Sequence, residues 1–318
     1  PETYGLAHAD DGDLMVIGDT YDPDYSDRFV LLQRFDQQGN AVTGTLHQVS
    51  GGPGVDAVGL VELSNGNFLA AVNDFPYARI LRFDADGQLL DARAGSVSST
   101  FFRGLVRVND STILGLGKAD DDMLITWFDA AGDPIASRKI SIDGLGGDAW
   151  YAIPAINGGY WICGHGYDEE DLLASPDFRT CLLRFDAAGQ LLWARRYIAP
   201  GLVVYPKGLV ELPSGALLIA GSAWRVNENT RPYLLKVGPE GDPLSMTLFR
   251  GSTDTTKYLY TSAIGGPYGS EVVLTAWGDE ASMLSIRADT SGVGLSAGSD
   301  PSTHAADVAP IQWTEGVI

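Results

Sequence analysis

The chain has 318 residues, 45% of them hydrophobic, which is ample material for a large core. Its formal net charge is −20 and its pI about 4.3, a field that repels nucleic acid and anionic lipid and argues against both as partners. No stretch reaches the ~18 apolar residues of a spanning helix, so no membrane insertion is expected.

In chain order, an apolar strand running into Asp or a relative and then a tight glycine turn recurs six times. The copies end at Gly39, Gly87, Gly132, Gly189, Gly241 and Gly292, and the first four centre on Phe35-Asp36, Phe83-Asp84, Phe128-Asp129 and Phe185-Asp186. These glycines are spaced by 48, 45, 57, 52 and 51 residues. A period near fifty marks one supersecondary unit copied along the chain. Upstream of each lies a second turn: Asp11-Gly12, Asn65-Gly66, Asn109-Asp110, Asn157-Gly158, Ser214-Gly215 and Tyr268-Gly269. Asn-Gly and Asp-Gly supply the positive φ that a two-residue hairpin needs.

A short apolar strand precedes that turn. Examples are Gly59-Leu60-Val61 and Gly208-Leu209-Val210, with Ala152-Ile153-Pro154 and Ser262-Ala263-Ile264 set in the same place. With one strand after the turn and one on each side of the Asp turn, each unit holds four strands, A to D, of an antiparallel meander. No long segment has apolar spacing of three to four residues, so no helix is predicted. The sequence predicts an all-β fold, a six-bladed β-propeller over residues 1–298, with residues 299–318 as a closing strand or linker. A seventh blade would need a repeat that is not visible.

Blade two, Gly59 through Leu90, resembles an NHL-type propeller repeat. Phe185-Asp186-Ala187-Ala188-Gly189-Gln190-Leu191-Leu192-Trp193 is similar to the repeats of PQQ-like propellers. The resemblance is one of blades and implies a bacterial extracellular propeller. The docking tryptophan of the quinoprotein family recurs in most of its blades. Here only Trp193 holds that position, so no PQQ cofactor is expected. Chain start at Pro1, without initiator Met or signal peptide, points to a processed form or part of a longer extracellular protein.

Antiparallel order puts the A–B and C–D turns at one end of each blade, and the B–C loops and D–A connections at the other. The second end carries the long, irregular segments, where binding groups sit on a rigid scaffold. Its D–A connections are read as bringing Phe102, Trp150, Tyr151, Tyr205, Tyr258 and Tyr260 to one face, joined by Trp224 from a B–C loop. Aromatic planes beside carboxylates suit sugar rings, and through cation–π contacts also cationic peptides. Rings of this kind equally cap blade cores.

Four further sets stand out. Asp19, Asp22, Asp24 and Asp27 supply the carboxylate oxygens calcium prefers, without the glycine and terminal Glu of an EF-hand loop. His165 with Asp168 and Asp171 could run acid–base chemistry on a glycan, against the plainer reading of solvated loop acids. His8, Glu62, Arg107 and Glu211 hold the same place on strand A and are expected in a central channel, as a ligand site or as mutually satisfied charges around trapped water. Cys163 and Cys181 fall on neighbouring strands, as a disulfide or as two buried thiols.

Divergent loops on near-regular blades, with no legible Ser-His-Asp order, favour a non-catalytic binding domain for a glycan or protein segment. The domain is expected to be extracellular, at the cell surface or periplasmic. A polysaccharide lyase or hydrolase is the enzymatic alternative, and a structural spacer or assembly subunit the third.

Overall fold

A computed structural model describes residues 2–21, 28–48, 55–74, 77–94, 100–141, 146–167, 179–199, 201–225, 228–249, 259–268, 271–278, 283–289 and 302–305. Among the described residues every regular element is a strand. The chain divides into two compact units, residues 1–140 and residues 141–310.

The first unit holds three four-stranded sheets, each pairing its strands in sequence order. They are β1 (Glu2–His8), β2 (Leu14–Tyr21), β3 (Arg28–Phe35) and β4 (Ala41–Gln48); β5 (Val55–Glu62), β6 (Phe68–Asp74), β7 (Tyr77–Phe83) and β8 (Leu89–Ala94); and β9 (Thr100–Asn109), β10 (Thr112–Ala119), β11 (Asp122–Asp129) and β12 (Pro134–Ile140). The second unit continues with β13 (Gly146–Pro154), β14 (Tyr160–Tyr167), β15 (Arg179–Phe185) and β16 (Leu191–Ile198); β17 (Val203–Glu211), β18 (Leu217–Trp224), β19 (Arg231–Val237) and β20 (Pro243–Leu248); and β21 (Leu259–Tyr268), β22 (Glu271–Gly278) and β23 (Met283–Asp289). A last strand, β24 (Ser302–Ala305), lies in the segment read as a closing strand or linker. It pairs antiparallel with the outer strand β16 of the fourth sheet, making that sheet five-stranded.

The recurring motif is explained by its bonds. In Phe35-Asp36 through Asn40, the Asp36 carboxylate accepts the N–H groups of Gln38 (2.9 Å) and Asn40 (2.8 Å). Asp84, Asp129 and Asp186 repeat the pattern on their own turns. The glycine takes a φ near +80°, for example +82° at Gly39 and +81° at Gly87 and Gly132, where a side chain would be strained. The aromatic ring before the Asp points inward, and Phe83, Phe128 and Phe185 are fully buried. The arginine before it clamps the next sheet: Arg34 donates to the Ala85 carbonyl (2.8 Å) and Arg82 pairs with Asp133 (2.9 Å).

Strand β6 shows how the sheets stack. Its period of two sends Phe68, Ala70 and Val72 into a core shared with the first sheet, with Met15, Ile17 and Leu32. Leu69 and Ala71 go to the opposite face, into a core with Ile113, Leu124 and Phe128 of the third sheet. In the second unit, Cys163, Leu182, Leu217, Ile219 and Tyr233 form the corresponding core between the fourth and fifth sheets. Strands buried on both faces explain why the motif reads as continuous apolar runs rather than clean alternation.

Candidate functional site

In all six sheets the first strand is bulged by one residue at the same register against the second. The bulged residues are Tyr4, Val58 and Arg103 in the first unit, and Trp150, Lys207 and Ser262 in the second. A bulge bends the strand and re-aims that side chain. At one shared register the second strand is polar in five sheets, at Asp19, Asn73, Lys118, His165 and Ser222.

Some of these polar residues latch adjacent sheets together. Asn73 donates to the Phe102 carbonyl (2.9 Å) and accepts the Phe102 N–H (2.8 Å). Ser222 accepts the Thr261 N–H (2.9 Å), while the Thr261 hydroxyl donates to the Gly221 carbonyl (2.6 Å). Asp19 acts through Arg28, whose Nε lies 2.5 Å from it and whose Nη1 lies 2.6 Å from Asp56 of the second sheet. The equivalent target for His165 on the fifth sheet is Pro206, which stands in register where Phe102 and Thr261 stand elsewhere. Proline has no N–H, so His165 cannot accept the bond its counterparts accept.

His165 is instead set among rings. It is only 5% exposed, with ring centroids 4.6 Å from Tyr205, 5.8 Å from Trp150 and 6.0 Å from Tyr167. Tyr205 stacks on Trp224 at 5.6 Å and 11°. The bulged Trp150 stacks on Tyr151 at 6.2 Å and carries the Lys207 ammonium 4.7 Å above its face, a cation–π contact. Trp150, His165, Tyr205 and Trp224 thus form one row across the fourth and fifth sheets of the second unit, half-buried at its two indole ends.

Asp148, 2% exposed, lies directly opposite His165 in the antiparallel register, and Thr180 lies opposite it on the other side. Opposed residues share a face, with Cβ atoms about 4.5–5.5 Å apart. Thr180 in turn shares a 2.9 Å hydrogen bond with the Tyr233 hydroxyl. Burial pushes the Tyr151 phenol up to about 12 and those of Tyr197 and Tyr233 further still, so all three remain neutral donors.

The structure redraws several expectations. Trp150, Tyr151, Tyr205 and Tyr260 sit within first strands rather than on D–A connections, because those strands start earlier than their apolar triplets. Phe102 is a core residue, 1% exposed and packed with Leu69 and Phe128, not a ligand-binding ring. The frame of strand A is also corrected. The residues in register with Gly59 and Gly208 are Tyr151 and Ala263, one earlier and one later than the sequence alignment placed them. The third sheet has a two-residue B–C turn, Asp120-Asp121. Asp120 takes a φ of +52° there, and the two acids pair with Lys139 and Lys118.

Of the calcium-loop acids, Asp19 is buried against Arg28, while Asp22, Asp24 and Asp27 lie outside the described residues, as do Asp168, Asp171 and Tyr258. Among the described residues no three His, Cys, Asp or Glu side chains gather to hold a metal. The channel set is reassigned. Glu62 accepts the Asp10 N–H (3.1 Å) and Glu211 the Ile156 N–H (2.7 Å), each capping the A–B turn of the preceding sheet. Arg107 donates to the Glu62 carbonyl (3.3 Å) in the same way, and His8 is exposed on β1. Glu62, Arg107 and Glu211 thus each clamp their sheet to its neighbour.

Cys163 and Cys181 are both buried and form no disulfide. Cys163 opposes Leu182 and Cys181 opposes Gly164, so the thiols project from opposite faces of their sheet and cannot bridge. Trp193 packs edge-on against Trp161 at 5.4 Å, under Arg195. Sequence reasoning missed Asp148 and Lys207. Lys207 is the bulged residue of the fifth sheet's first strand, and Asp148 meets His165 through the register of the fourth sheet, neither of which one sequence displays.

No family model and no curated protein matches the chain. Solved structures do match. Virginiamycin B lyase from Staphylococcus aureus aligns with a TM-score of 0.53 at 12% identity, over 89% of this chain and 83% of its own. Its catalytically inactive variant with quinupristin aligns with a TM-score of 0.53 at 13% identity, over the same shares. A protein of unknown function from Bacteroides caccae aligns at 0.46 and 14% identity, over 78% of this chain and 82% of its own. The likeness to the lyase is one of fold, a β-propeller built of repeated antiparallel sheets.

Proposed function

We propose that the six sheets close into a six-bladed propeller over residues 1–298, exported to the cell surface, periplasm or medium as part of a larger protein, and that it binds a glycan. The observation that carries this reading is the row Trp150–His165–Tyr205–Trp224, half-buried at Trp150, Tyr205 and Trp224 and closed beneath by the buried His165, with the Tyr205 and Trp224 planes 11° apart. Flat rings with Lys207 and Asp148 close by suit a sugar, whose C–H face stacks while its hydroxyls bond.

The test is binding to an array of immobilised glycans, with calcium and with chelator, for the wild type, Trp150→Ala and Trp224→Ala. The proposal expects specific hits weakened about tenfold or more, equivalent to about 1.4 kcal/mol, by either substitution at unchanged melting temperature. A blank array, or hits indifferent to both indoles, defeats it; capture of peptides instead would move the assignment to a protein segment. Chelator sensitivity would bring in the Asp19–Asp27 loop.

A second reading is enzymatic and rests on Asp148 facing His165, a carboxylate placed to orient an imidazole for proton transfer. It predicts new chain ends from a polysaccharide, lost in His165→Ala. Hydrolysis or elimination that persists in that variant would remove His165 from the mechanism. The fold shared with a lyase supplies the scaffold for this reading and none of its chemistry.

A further inference from the structure

Each of the first five sheets carries a second bulge, on its outer strand. The extra residue is Val42, Leu90, Ile135, Leu192 or Leu244, aliphatic each time and 52–64% exposed. A bulge disrupts the ladder locally, so a further strand pairs beyond it. Strand β24 does so on the fourth sheet, where Ser302–Ala305 meets Arg195–Ile198. Past the bulge, an outer strand of this chain accepts an antiparallel neighbour.

The outer strands differ in what guards that stretch. An edge presents unpaired N–H and C=O groups, and charge, proline and shortness keep other chains off it. Asp91 and Arg93 guard β8, and Pro134, Arg138 and Lys139 guard β12. Arg195 and Arg196 guard β16, which β24 also covers. Strand β20 has only six residues and opens on Pro243. Strand β4 has none of these devices. It is eight residues long, holds no Asp, Glu, Lys, Arg or Pro, and pairs only with β3 among the described residues. Thr45 and His47 turn toward the second sheet and reach the Gly87 carbonyl, both at 3.0 Å. Val42 and Leu46 are left 53% and 58% exposed.

We propose that the edge of β4 pairs antiparallel with β4 of a second copy, making an isologous dimer with one continuous sheet across the interface. The occupant is a strand, because β24 shows what these edges accept. An uncharged strand laid antiparallel on its own copy meets the same residues in reverse order, with no like charges opposed. The net charge of −20 repels two copies at a distance. An uncharged edge is where they can meet, and salt strengthens the association by screening that repulsion.

Sedimentation equilibrium of the full chain over a range of concentrations, at low and high salt, measures the association. The wild type forms a dimer that tightens as salt rises. Leu46→Lys sets an ammonium on the edge and weakens dimerisation about tenfold or more. Leu244→Lys, at a side chain equally exposed but on the proline-guarded β20, leaves it unchanged. Hydrogen exchange shows protection at the Thr43–Gln48 amides that grows with the dimer fraction. A wild type that stays monomeric at millimolar concentration in high salt overturns the proposal. So does a dimer left intact by Leu46→Lys, with folding checked by melting temperature. Protection of the β4 amides by a synthetic peptide of residues 299–308, without dimerisation, gives the edge to a donated tail strand and overturns it too.

Discussion

Replacing Asn73 by Ala removes two hydrogen bonds at once and leaves the Phe102 N–H and carbonyl without that partner between two sheets. Asn73 is 6% exposed and Phe102 1%, so water does not readily take its place. Each net bond is worth about 0.5–1.5 kcal/mol, and a stranded buried group adds more, which puts the total near 2–4 kcal/mol. For a unit of this size that lowers the melting temperature by about 5–15 °C. Urea unfolding gives the free energy, and hydrogen exchange at the Phe102 amide shows whether the loss is local. Asn73→Asp is the control. It keeps the acceptor for the Phe102 N–H but sets a carboxylate against the Phe102 carbonyl. Its folded pKa is therefore raised, and its stability recovers as pH falls and the carboxyl becomes a donor. An Asn73→Ala variant within about 0.5 kcal/mol of the wild type would show that the latch between the sheets is not energetic, and that the apolar cores alone hold them.

Two further outcomes follow from burial. Burial holds the Glu62 carboxyl above the usual carboxylate range, so the native state binds its proton more tightly than the unfolded chain; this group's contribution is greatest at low pH and is lost as pH rises through the folded pKa. Glu62→Gln keeps an acceptor for the Asp10 N–H and removes the desolvated charge. It should melt higher than the wild type at neutral pH, with the gap closing on acidification, and a Gln variant less stable at neutral pH would contradict this assignment. Burial also pushes the Cys163 thiol up and keeps it protonated. Neither Cys163 nor Cys181 should react with a disulfide-exchange reagent until the protein is unfolded, and mass spectrometry of the native protein should find no bridge; a mass two hydrogens lighter would refute the opposed-face geometry.

The strand pattern was legible because the repeat is written in residues with strong local rules. Asp36, Asp84, Asp129 and Asp186 cap their own turns, the following glycine takes the positive φ, and neither needs distant partners. The site was legible only in composition. Trp150, Tyr205, Trp224 and His165 were candidates as separate loop residues, but the row they form depends on the bulge at Trp150 and Lys207. A bulge is an extra residue against a partner strand, and one sequence does not show that register. Glu62 and Glu211 failed for a related reason. Their alignment was right, yet their partners are backbone N–H groups of the preceding sheet, which no side-chain pattern reveals.

The place where the repeat departs from its own rules is also where the rings collect. Four sheets have glycine at the position that packs one first strand on the next, and at Gly59 an added Cβ would lie 2.5 Å from the Leu105 nitrogen. The fourth sheet has Tyr151 there. Asn73 and Ser222 tie their sheets to the next strand's backbone, but between the fourth and fifth sheets Pro206 has no N–H to give, and the latch position holds His165. Each departure removes a packing or bonding solution used elsewhere in the same chain and puts an aromatic or titratable group in its place. A repeat protein can give up a structural solution in one copy because its neighbours retain theirs, and local departures of this kind are where function is expected. That argument favours the fourth and fifth sheets over the better-latched sheets as the site of glycan binding, and it does so independently of the chemistry of the rings.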